Sequence, residues 1–286
     1  MEVTVSRRLW TLLEPLHAVV YFTAPSRQAF EDAGYRGFWR GYFAGRAAPL
    51  GPVGAAPVTA LFYGFAPRMV ARALPAVWDL APPAAALAAR QAGAVTALRQ
   101  GFTAQQVAAD DDLLTAVTGL LRRAVDGADP GGRPLGAANA ALPWPDEPLA
   151  ALWHGATVVR ELRGDGHVAA LLTAGITGVE SLVLRSGRDL DRATVQAARG
   201  WTDPEWQATA DGLCARGLVD VHDRITARGE ALLDDVEAVT DTLAAQPWHA
   251  LGAGAVGDLV ELLEPLARAA STLLPAGTPI GLPPSR

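Results

Sequence analysis

Apolar residues recur at three- and four-residue intervals along most of this chain, the spacing that lines one face of an α-helix. Read this way, helices are expected over 6–22, 25–33, 36–46, 56–63, 65–77, 83–100 and 104–125, with Pro15 kinking the first. Periodicity then lapses over 126–148, DGADPGGRPLGAANAALPWPDEP, where five prolines and four glycines mark a domain boundary. Trp144 and the alanines make this an ordered strap. The helical pattern resumes over 148–163 and 166–174, with Gly164-Asp165 as the break and Asp165 as the cap of the second piece. Short helices follow at 178–186 and 191–198, then 203–216, capped by Thr202 or Asp203 and stopped by Gly217. Residues 218–221 and 224–226 can pair as a small hairpin, and helices over 227–245 and 253–273 complete the chain, with a frayed tail from Pro275. The pentapeptide LLEPL stands at 12–16 and again at 262–266, which fits two kinked helices facing alike better than a duplication.

Composition narrows what such a chain can do. At 286 residues it exceeds one average domain, and its 50% hydrophobic content supplies an ample core. All 24 basic residues are arginine, and the net charge of −6 disfavours a general polyanion binder. A single cysteine, Cys214, permits no internal disulfide and makes a cytoplasmic location the default. Ser6-Arg7-Arg8 before an apolar run imitates an export signal, but Glu14, Pro15 and His17 interrupt that run. Residues 47–67 carry no charge, yet their four prolines and three glycines suit a buried, broken segment better than a membrane span. No membrane partner is expected.

The run 197–241, AARGWTDPEWQATADGLCARGLVDVHDRITARGEALLDDVEAVTD, resembles the winged-helix region of MarR-type regulators. The likeness rests on Leu213-x-x-Arg216-Gly217-Leu218-Val219, a short wing, and Ile225-Thr226-x-x-Gly229-x-x-Leu232 leading into a long helix. The whole chain is also similar to an actinobacterial helix-turn-helix family, through EPLH at 14–17, YFAGRAAPLG at 42–51, GRPLGAAN at 132–139, LPWPDEP at 142–148 and RGDGHVAAL at 163–171. That second resemblance implies no particular reaction. The first would place 203–216 in the major groove of DNA. Charge argues against it: residues 191–245 carry five arginines and eleven acids, net −6, where a groove-reading module gains from cations. Such a fold can also serve for packing or for a homodimer.

The candidate chemistry is concentrated in two places. Between 154 and 168 the chain holds two histidines, a glutamate, an aspartate and two arginines, although only 19% of all residues are charged. His154, Thr157 and Glu161 share a helix face, Trp153 and Arg160 an adjacent one, and Arg163, Asp165 and His167 lie at the expected turn. The second place is Glu14 and His17 on the first helix, with Tyr21 one turn on, followed by Arg46 in GYFAGRAAPLG. Histidine beside carboxylate suits proton transfer near neutral pH, and arginines suit a carboxylate or phosphate held by two hydrogen bonds. His154 or His167 is the expected proton carrier and Glu161 or Glu14 its orienting group. Glu14, His17, Tyr21, Arg46, Arg160, Arg163 and Asp165 are expected to hold the ligand. The blander reading is a structural one: a satisfied core histidine and a salt-bridged helix corner.

Other chemistries lack their signatures. E-x-x-H at 14–17 is half of a di-iron pattern with no second copy, so no metal is assigned and the cofactor, if any, is left open. No G-x-x-x-x-G-K-[ST] phosphate loop occurs, nor does a G-x-S-x-G elbow. The expectation is therefore an all-α protein with a minor β wing. Its helical N-terminal domain covers 1–146, ending in the strap, and its winged-helix-like C-terminal domain covers 147–286. A small polar or anionic organic molecule would bind between them, with acid/base catalysis left open. The alternative is a ligand-responsive transcription regulator.

Overall fold

The computed structural model describes residues 3–281. Fourteen α-helices are formed there: α1 Val3–Phe22, α2 Ala24–Asp32, α3 Phe38–Ala47, α4 Ala55–Leu61, α5 Pro67–Ala71, α6 Pro83–Ala104, α7 Asp111–Asp126 and α8 Pro134–Ala140, then α9 Pro148–Thr173, α10 Gly178–Arg188, α11 Arg192–Arg199, α12 Asp203–Ala215, α13 Ala227–Ala244 and α14 Gly252–Ser271. The all-α expectation holds. Among the described residues there is no sheet: the expected hairpin contributes one isolated antiparallel bridge, Val219 to Ile225. The expected frayed tail lies partly outside the described residues, at 282–286, while 275–281 pack back so that Arg199 Nη2 donates to the Pro279 carbonyl at 3.2 Å.

Besides α8, which forms inside the expected strap, three stretches differ from the sequence pattern, each for a local reason. The helix expected over 65–77 stops at Ala71 and gives way to turns and a 3-10 segment, Ala76–Asp79, because Pro75 cannot supply the N–H that a continuing helix requires. The helix expected over 104–125 is replaced by a loop and a later start. Asp110 caps α7 by accepting from the Leu113 amide at 2.9 Å, with Asp111 and Asp112 in the favourable first turn. The break expected at Gly164-Asp165 is absent, and α9 runs unbroken for 26 residues. Asp165 is not a helix cap; its carboxylate accepts from the Gly136 amide at 2.8 Å, tying α8 to the middle of α9. Tertiary packing on both sides outweighs the low helix propensity of two glycines.

The buried hydrophobic residues form two clusters. The larger joins α1 to α8, the first half of α9, and α14, and includes Leu9, Leu16, Phe43, Leu98, Leu121, Trp153 and Leu266. The smaller lies between the end of α9 and α10 to α13, around Leu184, Trp206 and Leu213. The composition places a boundary at 146; the two clusters part within α9. The two LLEPL segments lie on α1 and α14, which pack along each other, and both carry their proline inside the helix. Arg8 on one meets Glu264 on the other at 2.5 Å. Residues 47–67 are broken as expected, into a 3-10 turn and α4. Among the described residues no single helix is long and apolar enough to cross a membrane, and α9 with α10 passes on length and composition only as a pair bent by 96°.

A candidate anion pocket

The two polar groups of the sequence meet. Glu14, His17 and Tyr21 project from successive turns of α1, Arg46 and Tyr42 from α3, and Thr157, Arg160 and Glu161 from α9. Arg46 holds Glu161 in a fork, Nε to Oε1 at 3.2 Å and Nη2 to Oε2 at 3.1 Å. Arg160 bridges both acids, its Nε 3.3 Å from each Glu14 oxygen and its Nη1 3.0 Å from Glu161 Oε2. Trp10 Nε1 also donates to Glu14, at 3.1 Å. Glu14, His17 and Glu161 are each no more than 3% exposed. Burial alone would raise the Glu161 carboxyl, but Arg46 and Arg160 beside it hold it well below the ordinary carboxylate range. Burial would likewise lower Arg46, yet Glu161 keeps it well above its ordinary value.

The hydrogen-bond network fixes the state of His17. Thr157 has one hydroxyl proton and gives it to the Trp153 carbonyl at 2.8 Å. It must therefore accept from His17 Nδ1–H, 3.0 Å away. His17 is neutral, because burial and the nearby Arg160 push its pKa well below the usual value. Its Nε2 lone pair then accepts the Tyr21 O–H proton at 2.8 Å. The relay Tyr21–His17–Thr157–Trp153 leaves the Tyr21 oxygen presenting acceptor lone pairs.

Arg90, on α6, completes the site and was not singled out in the sequence. It is 6% exposed, donates to the Gly45 carbonyl at 3.3 Å and to Asn139 Oδ1 at 2.9 Å, and lies 5.5 Å from the Trp153 ring centre. Among the described residues no carboxylate pairs with it. Burial lowers its pKa to about 10, still leaving it charged at neutral pH. The available signal was a lone charge in the alanine-rich run 83–98 of α6. Together His17, Tyr21, Tyr42, Arg46, Arg90 and Glu161 line a small pocket that opens to solvent at its mouth. A second small open pocket adjoins it and shares Val20, Tyr21, Phe30 and Tyr42.

The remaining expected site residues lie elsewhere. His154 shares the helix face of Glu161, but seven residues of rise separate them by roughly 10 Å along α9. It packs edge-on to Trp144, ring centres 4.9 Å apart, and its Nε2 is buried without a partner. Burial, with Arg90 and Arg122, lowers its pKa to about 4. His167 Nδ1 donates to Thr240 Oγ1 at 3.0 Å, the Thr240 proton being engaged by the Val236 carbonyl. Arg163 pairs with Glu237 and Asp241 at 3.0 and 3.1 Å, where Arg7 of α1 also joins Asp241 at 2.6 Å. This ion cluster pins α1, α9 and α13 together. Asp165, held by α8, is pushed up to about 6 by burial. His17, not His154 or His167, is thus the histidine of the pocket, and the three histidines do not converge.

Beside the pocket, α11 and α12 are joined by the three-residue turn Gly200-Trp201-Thr202, with Gly200 in the left-handed conformation at φ 75°. Thr202 and Glu205 form a reciprocal capping box at the start of α12. This turn docks on the segment after α4. The Ala66 amide donates to the Arg199 carbonyl at 2.9 Å, Trp201 Nε1 donates to the Gly64 carbonyl at 2.9 Å, and Arg68 grips Glu205 with contacts of 2.6 Å. The outward residues of α12 include Asp203, Gln207, Asp211 and Ala215, with no cation among them. Arg216 just beyond is paired to Glu180 at 2.7 Å.

Against known proteins, the model of a helix-turn-helix family matches residues 6–275. No curated protein and no solved structure matches the chain.

Proposed function

The chain belongs to a helix-turn-helix family, and from that premise we propose that it binds a small anionic organic molecule in the pocket between α1, α3, α6 and α9. The observation that carries this reading is Arg90. A buried guanidinium without a carboxylate is an uncompensated charge, and burying one is costly unless something else neutralises it. A ligand anion would do so. Arg46 and Arg160 would position it and Glu161 would hold those arginines in place, with His17 and Tyr21 as the proton-carrying pair if a reaction occurs. Glu14 supports Arg160 from behind. Native mass spectrometry of the wild type beside Arg90→Gln tests the reading. A small-molecule adduct on the wild type alone supports it; identical masses and no thermal stabilisation of either protein by added organic anions would sink it.

A second reading is a ligand-responsive transcription regulator, favoured by the family and by the α11–turn–α12 geometry. In that reading α12 is the groove-reading helix and 218–226 the wing, as the MarR-type resemblance implies, and the active form is a homodimer matching paired half-sites. The pocket would then act as the sensor. The turn docked on residues 64–68 gives it a mechanical route, since Phe65 in that segment packs on Tyr42 of α3, which lines the pocket. The outer face of α12 counts against direct DNA reading.

A further inference from the structure

We propose that the occupant of this pocket is a monocarboxylate with a flat apolar body, its head at Arg46 and Arg90 and its body against Phe30, Phe38 and Tyr42. The proposal rests on the anion-pocket reading above and adds the ligand's charge, head group and shape.

Charge sets the first limit. The charged residues that line the pocket are Arg46, Arg90 and Glu161, with His17 neutral and Arg160 behind them paired to Glu14, which leaves one positive charge in the lining. One negative charge balances it. A second negative charge would find no further cation in the lining and would meet the Tyr21 oxygen, which offers only lone pairs because its proton is given to His17. The donors set the head group. Of the five N–H bonds on each guanidinium, Arg90 uses two on Gly45 and Asn139, and Arg46 uses three on Glu161 and Tyr42. The free N–H bonds lie on planar forks, which match the two coplanar oxygens of a carboxylate.

The adjoining cavity sets the body. Its walls are Val20, Phe30, Tyr35, Phe38 and Tyr42, with Arg27 and Glu31 exposed at its edge. The Tyr35 hydroxyl proton is already engaged by the Ala81 and Pro82 carbonyls at 2.9 and 3.0 Å, so it has none to donate to a ligand. Phe38 and Tyr42 lie nearly parallel, 6.1 Å between centres and 30° between planes. Gly41, also on α3, lets Phe30 seat directly against that helix, since a side-chain carbon there would sit 2.9 Å from it. A pocket lined chiefly by aromatic and aliphatic side chains favours a flat, apolar body.

Titration calorimetry with four probes tests this: benzoate, acetate, benzyl alcohol and phthalate. The expected order is benzoate first, with acetate, benzyl alcohol and phthalate each at least about tenfold weaker. Arg90→Gln should lower benzoate affinity by about tenfold or more. Phe38→Ser, at a residue 40% exposed and so tolerant of change, should weaken benzoate severalfold and leave acetate unaltered. Because Arg90 packs on Trp153, its variant is checked by thermal melting, and Phe38→Ser carries the test if it unfolds. Acetate equal to benzoate would remove the apolar body from the proposal and leave the anion pocket standing. Benzyl alcohol equal to benzoate would remove the carboxylate head, and phthalate equal to benzoate the single charge. No binding by any of the four, with no adduct on the native protein, would overturn both the proposal and the pocket.

Discussion

Glu161 is the residue on which the polar cluster turns, because two buried arginines depend on it. Replacing it by glutamine keeps the shape and removes the charge, leaving Arg46 and Arg160 with Glu14 alone. Breaking a buried pair in this way typically destabilises by about 3–5 kcal/mol. Urea denaturation of Glu161→Gln should show a loss of that order, and a loss below about 1 kcal/mol would mean that water reaches the cluster freely. His154 supports a prediction about pH. Its folded pKa of about 4 lies below the ordinary 6.5, so the unfolded chain binds a proton that the native state refuses. Its contribution therefore falls by about 3 kcal/mol as pH drops from 6.5 to 4. The buried His17, shifted the same way, adds to that loss. Asp165 opposes both: its folded pKa of about 6, against an ordinary 3.8, makes the native state the better proton binder between those values. The depressed Glu161 stays charged in the folded state over that whole window. Wild type and His154→Gln compared by urea midpoint at pH 7 and pH 4.5 should separate these effects. The variant loses less stability on acidification, whereas equal losses would show that His154 is not the titrating group.

At the scale of elements, the contact between α10 and the residues after α4 joins the smaller core to the larger. Gly178 opens α10 where a side-chain carbon would land on the Tyr63 carbonyl, and the Tyr63 hydroxyl donates to the Ile176 carbonyl at 2.8 Å. Gly178→Ala should therefore destabilise by about 1–3 kcal/mol, despite alanine's better helix propensity. Hydrogen exchange would place the loss in residues 60–68 and 176–188, and a stabilised variant would show that this contact is loose. The helices themselves were legible in the sequence, since burial of one face imposes its period on the chain. The unbroken course of α9 was not. Gly164, Asp165 and Gly166 read locally as a turn, and only α8 and α13, packed on either side, make helix the better state there. The start of α7 at Asp111 was missed although Asp110 carried the capping signal, because the apolar period passes through 104–110 without a gap.

At the scale of the molecule, family membership and surface charge pull in different directions. Three arginines around α12 are engaged: Arg192 with Asp223 at 3.4 Å, Arg216 with Glu180, and Arg224 with Asp220 at 2.8 Å. Few are free to displace counterions from a duplex. If the protein binds DNA as it stands, the plot of log K against log salt should be shallow, with a slope smaller in magnitude than about 3, given about 0.9 per phosphate neutralised. Fluorescence anisotropy on a duplex across a salt series measures it. A slope steeper than about 5 would show that a cationic surface away from α12 makes the contact.

The sequence by itself determined the all-helical character, the richness of the core and the residue types available for chemistry, because each follows from local spacing or from composition. It also placed Glu14, His17, Tyr21, Arg46, Arg160 and Glu161 among the candidates. Tertiary structure alone decided which of them meet. Helix phase places His154 and Glu161 on one face, but it carries no information on which neighbouring helix covers each turn of that face. α1 and α3 cover the turn of Glu161 and build the pocket; Trp144 covers the turn of His154 and seals it away. Arg90 owes its place in the pocket to the same cause, since a lone arginine on an alanine-rich helix acquires chemistry only from what packs around it.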